Sequence, residues 1–211
     1  MDMAAITAKR LVPVVVIHDA DHAAPLAQAL LAGGLNVIEI TFRTPAAEPA
    51  VSRIRQALPE MMVGAGTLLA PTHVRRAHDA GAQFGVAPGL NSGVIAAARG
   101  IGLPFVPGVM TPSEVETALA EDCTMLKFFP ASLAGGVPML QALAGPYAQT
   151  GVKFIALGGV TPANMGEYLK LPIVAAVGGS WIVEPRLIAS GDWGEITRRT
   201  RDALEIVAAA S

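Results

Sequence analysis

The chain has one cysteine, no block of like charges and no long uninterrupted apolar run. A lone Cys123 excludes an internal disulfide and a cysteine-ligated metal cluster, and it is expected to behave as a buried small hydrophobe. A membrane-spanning helix needs about 20 consecutive apolar residues. Glycine, proline or a charged residue interrupts every apolar run here, so no membrane span is expected. The formal net charge of −2 argues against a nucleic-acid-binding surface.

Metal-ligand spacing and targeting features are also missing. No cluster of His, Asp and Glu has the spacing of a metal site, so no metal is expected. Residues 1–10 lack a basic head followed by an apolar run and therefore do not resemble a signal peptide. They are expected to form a short leading helix, and the protein is expected to be cytoplasmic.

What is present is a chain of 211 residues, 52% of them hydrophobic, in which eight short apolar runs alternate with helix-like segments. The runs span residues 12–17, 37–42, 62–67, 84–89, 104–109, 125–130, 154–159 and 173–179. Helices are predicted over about 21–32, 46–58, 71–80, 92–99, 137–144, 161–169 and 192–209, and another begins at Thr111-Pro112. Runs that are apolar on both faces and alternate with helices indicate a parallel sheet. Eight such units favour an α/β fold of the (β/α)8 TIM-barrel type, formed by residues 1–211 as a single domain.

An open, doubly wound parallel sheet is the alternative fold. Such a sheet is expected to carry a glycine-rich fingerprint after its first strand. The first run is instead followed by His18-Asp19-Ala20-Asp21, without a glycine. The closed barrel is therefore favoured.

Lys127 interrupts the sixth apolar run, Met125–Pro130. Lysine is almost never fully buried unless it is paired or functional. Burial disfavours the charged form of an amine, and a neutral amine is a nucleophile for ketones and aldehydes. The alternative is a lysine on an edge strand whose stem packs while its charged end reaches water.

Glu39 is the other charged residue inside an apolar run. Active sites of (β/α)8 barrels lie at the C-terminal ends of the strands. A lysine and a carboxylate there fit Schiff-base chemistry, in which the carboxylate moves protons. A buried Lys–Glu ion pair that fixes the strand register is the alternative, although such pairs add little net stability.

Further polar residues and glycines stand at the ends of other strands. Glu39, Thr41 and Arg43 alternate along one side of the second strand, which brings the Arg43 guanidinium to the rim, where it suits a substrate carboxylate. The pairs Gly158-Gly159 and Gly178-Gly179, the latter followed by Ser180, stand where this fold often binds phosphate, although either pair alone could serve turn geometry. His18 is a weaker candidate for the pocket wall.

Five sequence blocks carry a resemblance to a known family. They are Glu39–Thr44, Val63–Thr67, Pro88–Leu90, Lys127–Ala131 and Gly178–Trp181. With this order and spacing the chain resembles, from Val12 to Val183, the bacterial 2-keto-3-deoxy-6-phosphogluconate (KDPG) aldolase / 4-hydroxy-2-oxoglutarate (KHG) aldolase family of class I aldolases. The resemblance implies a (β/α)8 barrel that forms a homotrimer and uses no metal or other cofactor.

The resemblance also implies roles for individual residues. Lys127 corresponds to the Schiff-base lysine and Glu39 to the general acid and base. By the same resemblance, Arg43 and Thr67 hold the pyruvate carboxylate, and Pro88 and Phe129 line the pocket. The phosphate contacts are implied at Gly158, Gly159, Gly179 and Ser180.

The implied reaction cleaves KDPG to pyruvate and glyceraldehyde 3-phosphate, a step of the Entner-Doudoroff pathway of carbohydrate metabolism. One departure bears on the substrate: Leu157 stands where the family commonly has threonine. That threonine is expected to contact a substrate hydroxyl, so the galactonate-derived epimer of KDPG and 4-hydroxy-2-oxoglutarate are alternative substrates. A non-catalytic barrel that binds a phosphorylated ligand is a further alternative, and it would tolerate the loss of Lys127.

Overall fold

The computed structural model describes residues 3–210, which contain nine parallel strands and ten α-helices. The strands are β1 (Leu11–Val15), β2 (Val37–Thr41), β3 (Met62–Gly66), β4 (Phe84–Val86), β5 (Phe105–Val106), β6 (Gly108–Val109), β7 (Met125–Phe128), β8 (Lys153–Leu157) and β9 (Val174–Gly179). The helices are α1 (Met3–Thr7), α2 (Ala23–Ala32), α3 (Ala47–Ala57), α4 (Pro71–Asp79), α5 (Ser92–Gly100), α6 (Pro112–Ala120), α7 (Gly136–Tyr147), α8 (Met165–Leu169), α9 (Pro185–Ser190) and α10 (Trp193–Ala209). In this part of the chain, no helix combines the length and apolar character needed to cross a membrane.

The strands form a nearly closed parallel barrel with the order β5-β4-β3-β2-β1-β9-β8-β7-β6. The two end strands, β5 and β6, are separated along the chain by Pro107 alone. They correspond to the single run predicted over residues 104–109, which is therefore split. A proline has no N–H to donate to a ladder. Phe105–Val106 pairs with β4, whereas Gly108–Val109 pairs with β7.

The core consists of strand side chains and of the apolar faces of the surrounding helices. Phe128 of β7 and Phe154 of β8 are fully buried and meet edge to face, with 6.2 Å between ring centroids. The C-terminal helix α10 packs on α2, where the Thr197 hydroxyl donates to the Ala29 carbonyl. These contacts tie the C-terminal end of the described chain to the start of the barrel.

Helix boundaries differ from the prediction in four places, one of which is α8: it was predicted to begin at Thr161 but begins at Met165, because residues 162–164 form a turn. The helix predicted to begin at Asp21 is preceded by a 3-10 turn, Ala20–His22, which Asp19 caps. Helix α2 begins only after this turn, at Ala23. Helix α7 was predicted to end at Gly145-Pro146 but continues to Tyr147; a proline in the last turn removes only one helical hydrogen bond there. Helix α9 was not predicted. The predicted leading helix is α1, and its residues 1 and 2 lie outside the described range.

Candidate active site

Lys127 and Glu39 meet inside the barrel. They stand on β7 and β2, which are not neighbours in the sheet, so the contact crosses the interior. The Lys127 Nζ lies 3.7 Å from the Glu39 Oε1, and the two side chains are only 7% and 2% exposed. Within residues 3–210 these are the only buried charged residues. The predicted lysine–carboxylate pair is therefore present, and Lys127 is not an edge-strand residue.

The Glu39 carboxylate occupies space left by Gly66 at the end of β3. A Cβ at Gly66 would lie 2.0 Å from the Glu39 Oε1, closer than real atoms approach. That oxygen is buried and accepts no hydrogen bond from any residue in the range 3–210. A buried acceptor without a partner is uncommon in native proteins. Because 3.7 Å exceeds the roughly 2.7–2.9 Å of a charge-assisted hydrogen bond, the oxygen retains its capacity to accept a proton or a hydrogen bond.

A cavity of about 490 Å³ opens above Lys127 at the C-terminal ends of the strands. Seven of the ten residues predicted for the site line it: Arg43, Lys127, Phe129, Gly158, Gly159, Gly179 and Ser180. The Phe129 ring lies with its centroid 5.2 Å from the Lys127 Nζ, within the range of a cation–π contact. The cavity therefore joins the amine to both glycine loops.

Along β2 the predicted alternation places Glu39 and Thr41 inside and Arg43 at the rim. The Thr41 hydroxyl donates to the Val15 carbonyl of β1 at 2.7 Å and thereby joins the two strands. Arg43 follows two residues after the end of β2, is exposed and lines the cavity. Its guanidinium is therefore accessible to a ligand.

Thr67 and Pro88 do not line this cavity, and neither does His18, which is exposed. Thr67 directly follows β3 and has a φ of 61°, a left-handed conformation that is strained for a β-branched residue. Pro88 follows β4, and its carbonyl oxygen would lie 2.2 Å from a Cβ at Gly108. The structure places both residues at strand ends near the site but not in the cavity wall.

The two glycine loops have different local reasons for glycine. Gly158 and Gly159 have φ values of 94° and 77°, so both need a residue without a Cβ, in agreement with the turn-geometry alternative. Gly179 has no such φ, but a Cβ there would lie 2.1 Å from the Trp181 ring. Both loops nevertheless line the cavity, so their backbone is within reach of an anion.

The remaining cavity wall was not predicted from the sequence, except at Leu157, whose position was expected to face a substrate hydroxyl. It consists of Val14, Val16, Leu157, Val160, Thr161, Trp181 and Glu184. The valines of the first strand gave no signal because any apolar strand contains such residues. Glu184 precedes a proline, a pattern that is typical of a helix start. The sequence therefore does not indicate that Glu184 lies at the cavity.

Cys123 is half-buried beside a separate cavity of about 400 Å³ at the opposite ends of the strands. Its burial raises the pKa of the thiol, although the residue is less enclosed than predicted. No group of three or more His, Cys, Asp or Glu among residues 3–210 is placed to hold a metal ion.

A parallel barrel with a buried amine and carboxylate below an open cavity is a site suited to carbonyl chemistry, because the amine can form an imine and the carboxylate can move protons. The profile of the family described as "KDPG and KHG aldolase" matches residues 3–199. The chain belongs to this aldolase family.

Named relatives match over nearly the full length. A 2-dehydro-3-deoxy-phosphogluconate aldolase of Treponema pallidum is 43% identical over 198 residues, covering 94% of this chain and 93% of that protein. A KHG/KDPG aldolase of Escherichia coli K12 is 42% identical, covering 95% and 93%. A solved KDPG aldolase of Legionella pneumophila, with pyruvate captured as a covalent carbinolamine intermediate, is 40% identical with a TM-score of 0.93, covering 96% and 98%.

Proposed function

We propose that the protein is a class I aldolase, a lyase that cleaves KDPG to pyruvate and glyceraldehyde 3-phosphate through a Schiff base on Lys127. The buried Lys127–Glu39 pair, of which Lys127 lines the cavity, carries this proposal. Imine formation needs a nucleophilic amine that a ketone can reach, and Lys127 lines the cavity while its stem is enclosed. The pyruvate carbinolamine of the Legionella relative is in keeping with this chemistry.

The reaction begins when the Lys127 Nζ attacks the C2 ketone and water leaves, giving an iminium ion. Glu39, acting through a water molecule, takes the proton from the C4 hydroxyl. The C3–C4 bond then breaks, its electrons pass to the iminium, and glyceraldehyde 3-phosphate departs. The remaining enamine is protonated at C3 and hydrolysed, which releases pyruvate and the free amine.

The substrate is held at its two ends. Arg43 binds the carboxylate from the rim, and Thr67 assists from the end of β3. Pro88 and Phe129 bound the pocket, although Pro88 lies outside the cavity lining in this state. The two glycine loops bind the phosphate with residues Gly158, Gly159, Gly179 and Ser180.

The wider architecture is part of the same proposal. Counting β5 and β6 as one interrupted strand gives a (β/α)8 TIM barrel preceded by a short N-terminal helix, with residues 1–211 as one domain. The protein acts in the cytoplasm as a homotrimer, without a metal or other cofactor, in the Entner-Doudoroff pathway.

A second candidate is cleavage of 4-hydroxy-2-oxoglutarate or of the galactonate-derived epimer of KDPG. Leu157, which is 4% exposed, lines the cavity together with Val14, Val16 and Val160. This apolar wall cannot hydrogen-bond a substrate hydroxyl. Comparing kcat/KM for the three substrates separates the candidates, and KDPG as the main substrate requires an advantage from its phosphate.

Borohydride trapping with pyruvate, followed by intact mass and peptide mapping, tests the mechanism. We expect an adduct of reduced pyruvate on Lys127, and no adduct or turnover in folded Lys127→Ala. The control is Lys153→Ala, because Lys153 is an exposed lysine on the adjacent strand β8, where its Nζ donates to the Pro172 carbonyl. Turnover by Lys127→Ala, or a folded wild-type protein that forms no adduct, contradicts the Schiff-base mechanism.

A further inference from the structure

Arg199 of α10 connects that helix to the loop after β9. Its Nη1 donates to the Trp181 carbonyl and to the Glu184 Oε1, both at 2.6 Å. Its Nε donates to the Glu195 Oε1 at 2.7 Å within the same helix. The Arg199 side chain is only 20% exposed, so these contacts are better shielded from solvent than an ordinary surface ion pair. The guanidinium therefore holds two points of the loop at once.

This loop forms one side of the candidate active site. Gly179, Ser180, Trp181 and Glu184 all line the cavity that contains Lys127. The Trp181 ring packs directly against Gly179, where it occupies the place of a side chain. Because Arg199 fixes the Trp181 carbonyl, it also restrains the ring and the glycine backbone that the ring supports.

Glu184 places a negative charge beside the glycine loops. Hydrogen bonds from Arg199, and to a lesser extent from Arg186, hold the pKa of this carboxyl below its usual range. The carboxyl is therefore ionised at neutral pH. The Arg186 Nε donates to the second oxygen, Oε2, at 2.5 Å. Without these arginines the carboxylate would repel an anionic ligand at this end of the cavity.

We propose that Arg199 is a positioning residue for the phosphate end of the substrate. It holds the loop of residues 179–184 in the binding conformation and neutralises Glu184, so that a phosphate can bind beside a carboxylate. This inference rests on the proposed function, because it assumes a phosphorylated substrate. It assigns Arg199 no contact with the reacting atoms, so its loss alters substrate affinity rather than Schiff-base formation.

Arg198 is a matched control on the same helix. It binds Glu195 and Asp202, and its described ion pairs do not include Glu184. A purely structural role of the α10 ion pairs predicts similar effects for Arg198→Leu and Arg199→Leu. A positioning role predicts that only Arg199→Leu weakens binding of the phosphorylated substrate.

The experiment measures kcat and KM for KDPG and for its unphosphorylated analogue, together with the rate of borohydride trapping with pyruvate. For Arg199→Leu we expect the KM for KDPG to rise about tenfold, the effect of one charge interaction in a half-shielded site. The KM for the analogue and the trapping rate remain near those of the wild type. Adding Glu184→Gln to Arg199→Leu restores part of the affinity by removing the unpaired charge. Arg198→Leu leaves the KM for KDPG unchanged.

Glu184→Gln alone keeps the test decisive if Arg199→Leu does not fold. The glutamine oxygen can still accept a hydrogen bond from Arg199, so the loop stays held while the negative charge is removed, and we expect the KM for KDPG to fall or stay constant; a rise overturns the proposal. An equal loss on both substrates, or no loss, in Arg199→Leu also overturns it. If the wild type traps no pyruvate or shows no preference for KDPG over the analogue, the proposed function fails instead.

Discussion

Replacing Gly66 with alanine should displace the Glu39 carboxylate while leaving Lys127 in place. The new Cβ would lie 2.0 Å from the Glu39 Oε1, 2.7 Å from its Cδ and 2.8 Å from its Cγ. Because real Cβ contacts do not fall below 3.0 Å, the Oε1 must retreat by about 1 Å, the difference between 3.0 and 2.0 Å. Gly66 has no positive φ, so alanine introduces no backbone strain of its own.

A shift of about 1 Å in a catalytic group costs on the order of 100-fold in rate. We therefore expect Gly66→Ala to lower kcat for KDPG cleavage about 100-fold. The overpacked core should lose about 1–3 kcal/mol of stability, and a chain of this size then melts about 2–4 °C lower for each kcal/mol lost. Pyruvate trapping on Lys127 should persist, because the lysine keeps its place on β7. Stopped-time product assays, trapping and thermal melts measure the three quantities.

A double-mutant comparison isolates the cause. In a Glu39→Ala background the colliding atoms are gone, so adding Gly66→Ala should cost no further activity or stability. Gly145→Ala is the control, because a Cβ at that helical position meets nothing within 4 Å. Wild-type kcat in Gly66→Ala, or equal losses with and without the Glu39 side chain, would refute this reasoning about the carboxylate.

Three further predictions concern other residues. Thr67→Gly should raise the melting temperature by about 2–4 °C, because relieving the left-handed strain gains about 1 kcal/mol, while the KM for pyruvate in the trapping assay increases; a lower melting temperature contradicts the strain. Arg43→Leu should raise that KM about tenfold or more through loss of a charge-assisted contact, with little change in melting temperature since the residue is exposed; an unchanged KM removes Arg43 from carboxylate binding. Arg198 and Arg199 lower the pKa of Glu195 from 4.5 to about 2, so its ion pairs stabilise the fold above pH 4.5, and this contribution is lost as the pH falls towards 2. The difference in melting temperature between the wild type and Glu195→Gln should therefore shrink over that range, and a difference that persists at pH 2 contradicts the assignment.

The central pair could be predicted because it violates a strong local pattern. A charged residue within a short apolar run is conspicuous, and Lys127 and Glu39 each stand within one. The alternation of side chains along β2 then predicted Arg43 at the rim, and the structure has Arg43 lining the cavity. The start of α6 was equally readable, because Thr111 and Glu114 form the capping box that their spacing indicates.

Other features depend on partners that are distant in sequence. Gly66 makes room for a side chain from another strand, and the sequence gives no sign of that contact. Arg199 and Glu184 are charged residues on two separate segments, and their meeting at the cavity follows only from the packing of α10. The split at Pro107 was missed because a proline inside an apolar run is also compatible with one continuous strand.

Strand pairing is uneven around the barrel, and it is short on both sides of Pro107. The ladders on its two sides contain two residue pairs each, whereas β2 and β3 share five. The Lys127 N–H donates to the Pro107 carbonyl at 2.8 Å, so β7, which carries the amine, borders one of these short ladders. Transient opening there would disrupt few hydrogen bonds, and amide hydrogens of β5 and β6 should exchange with solvent sooner than those of β2 and β3. The strand that carries the reactive amine thus borders a short ladder that is expected to open early, whereas the ladder between β2 and β3, with more residue pairs, is expected to open later.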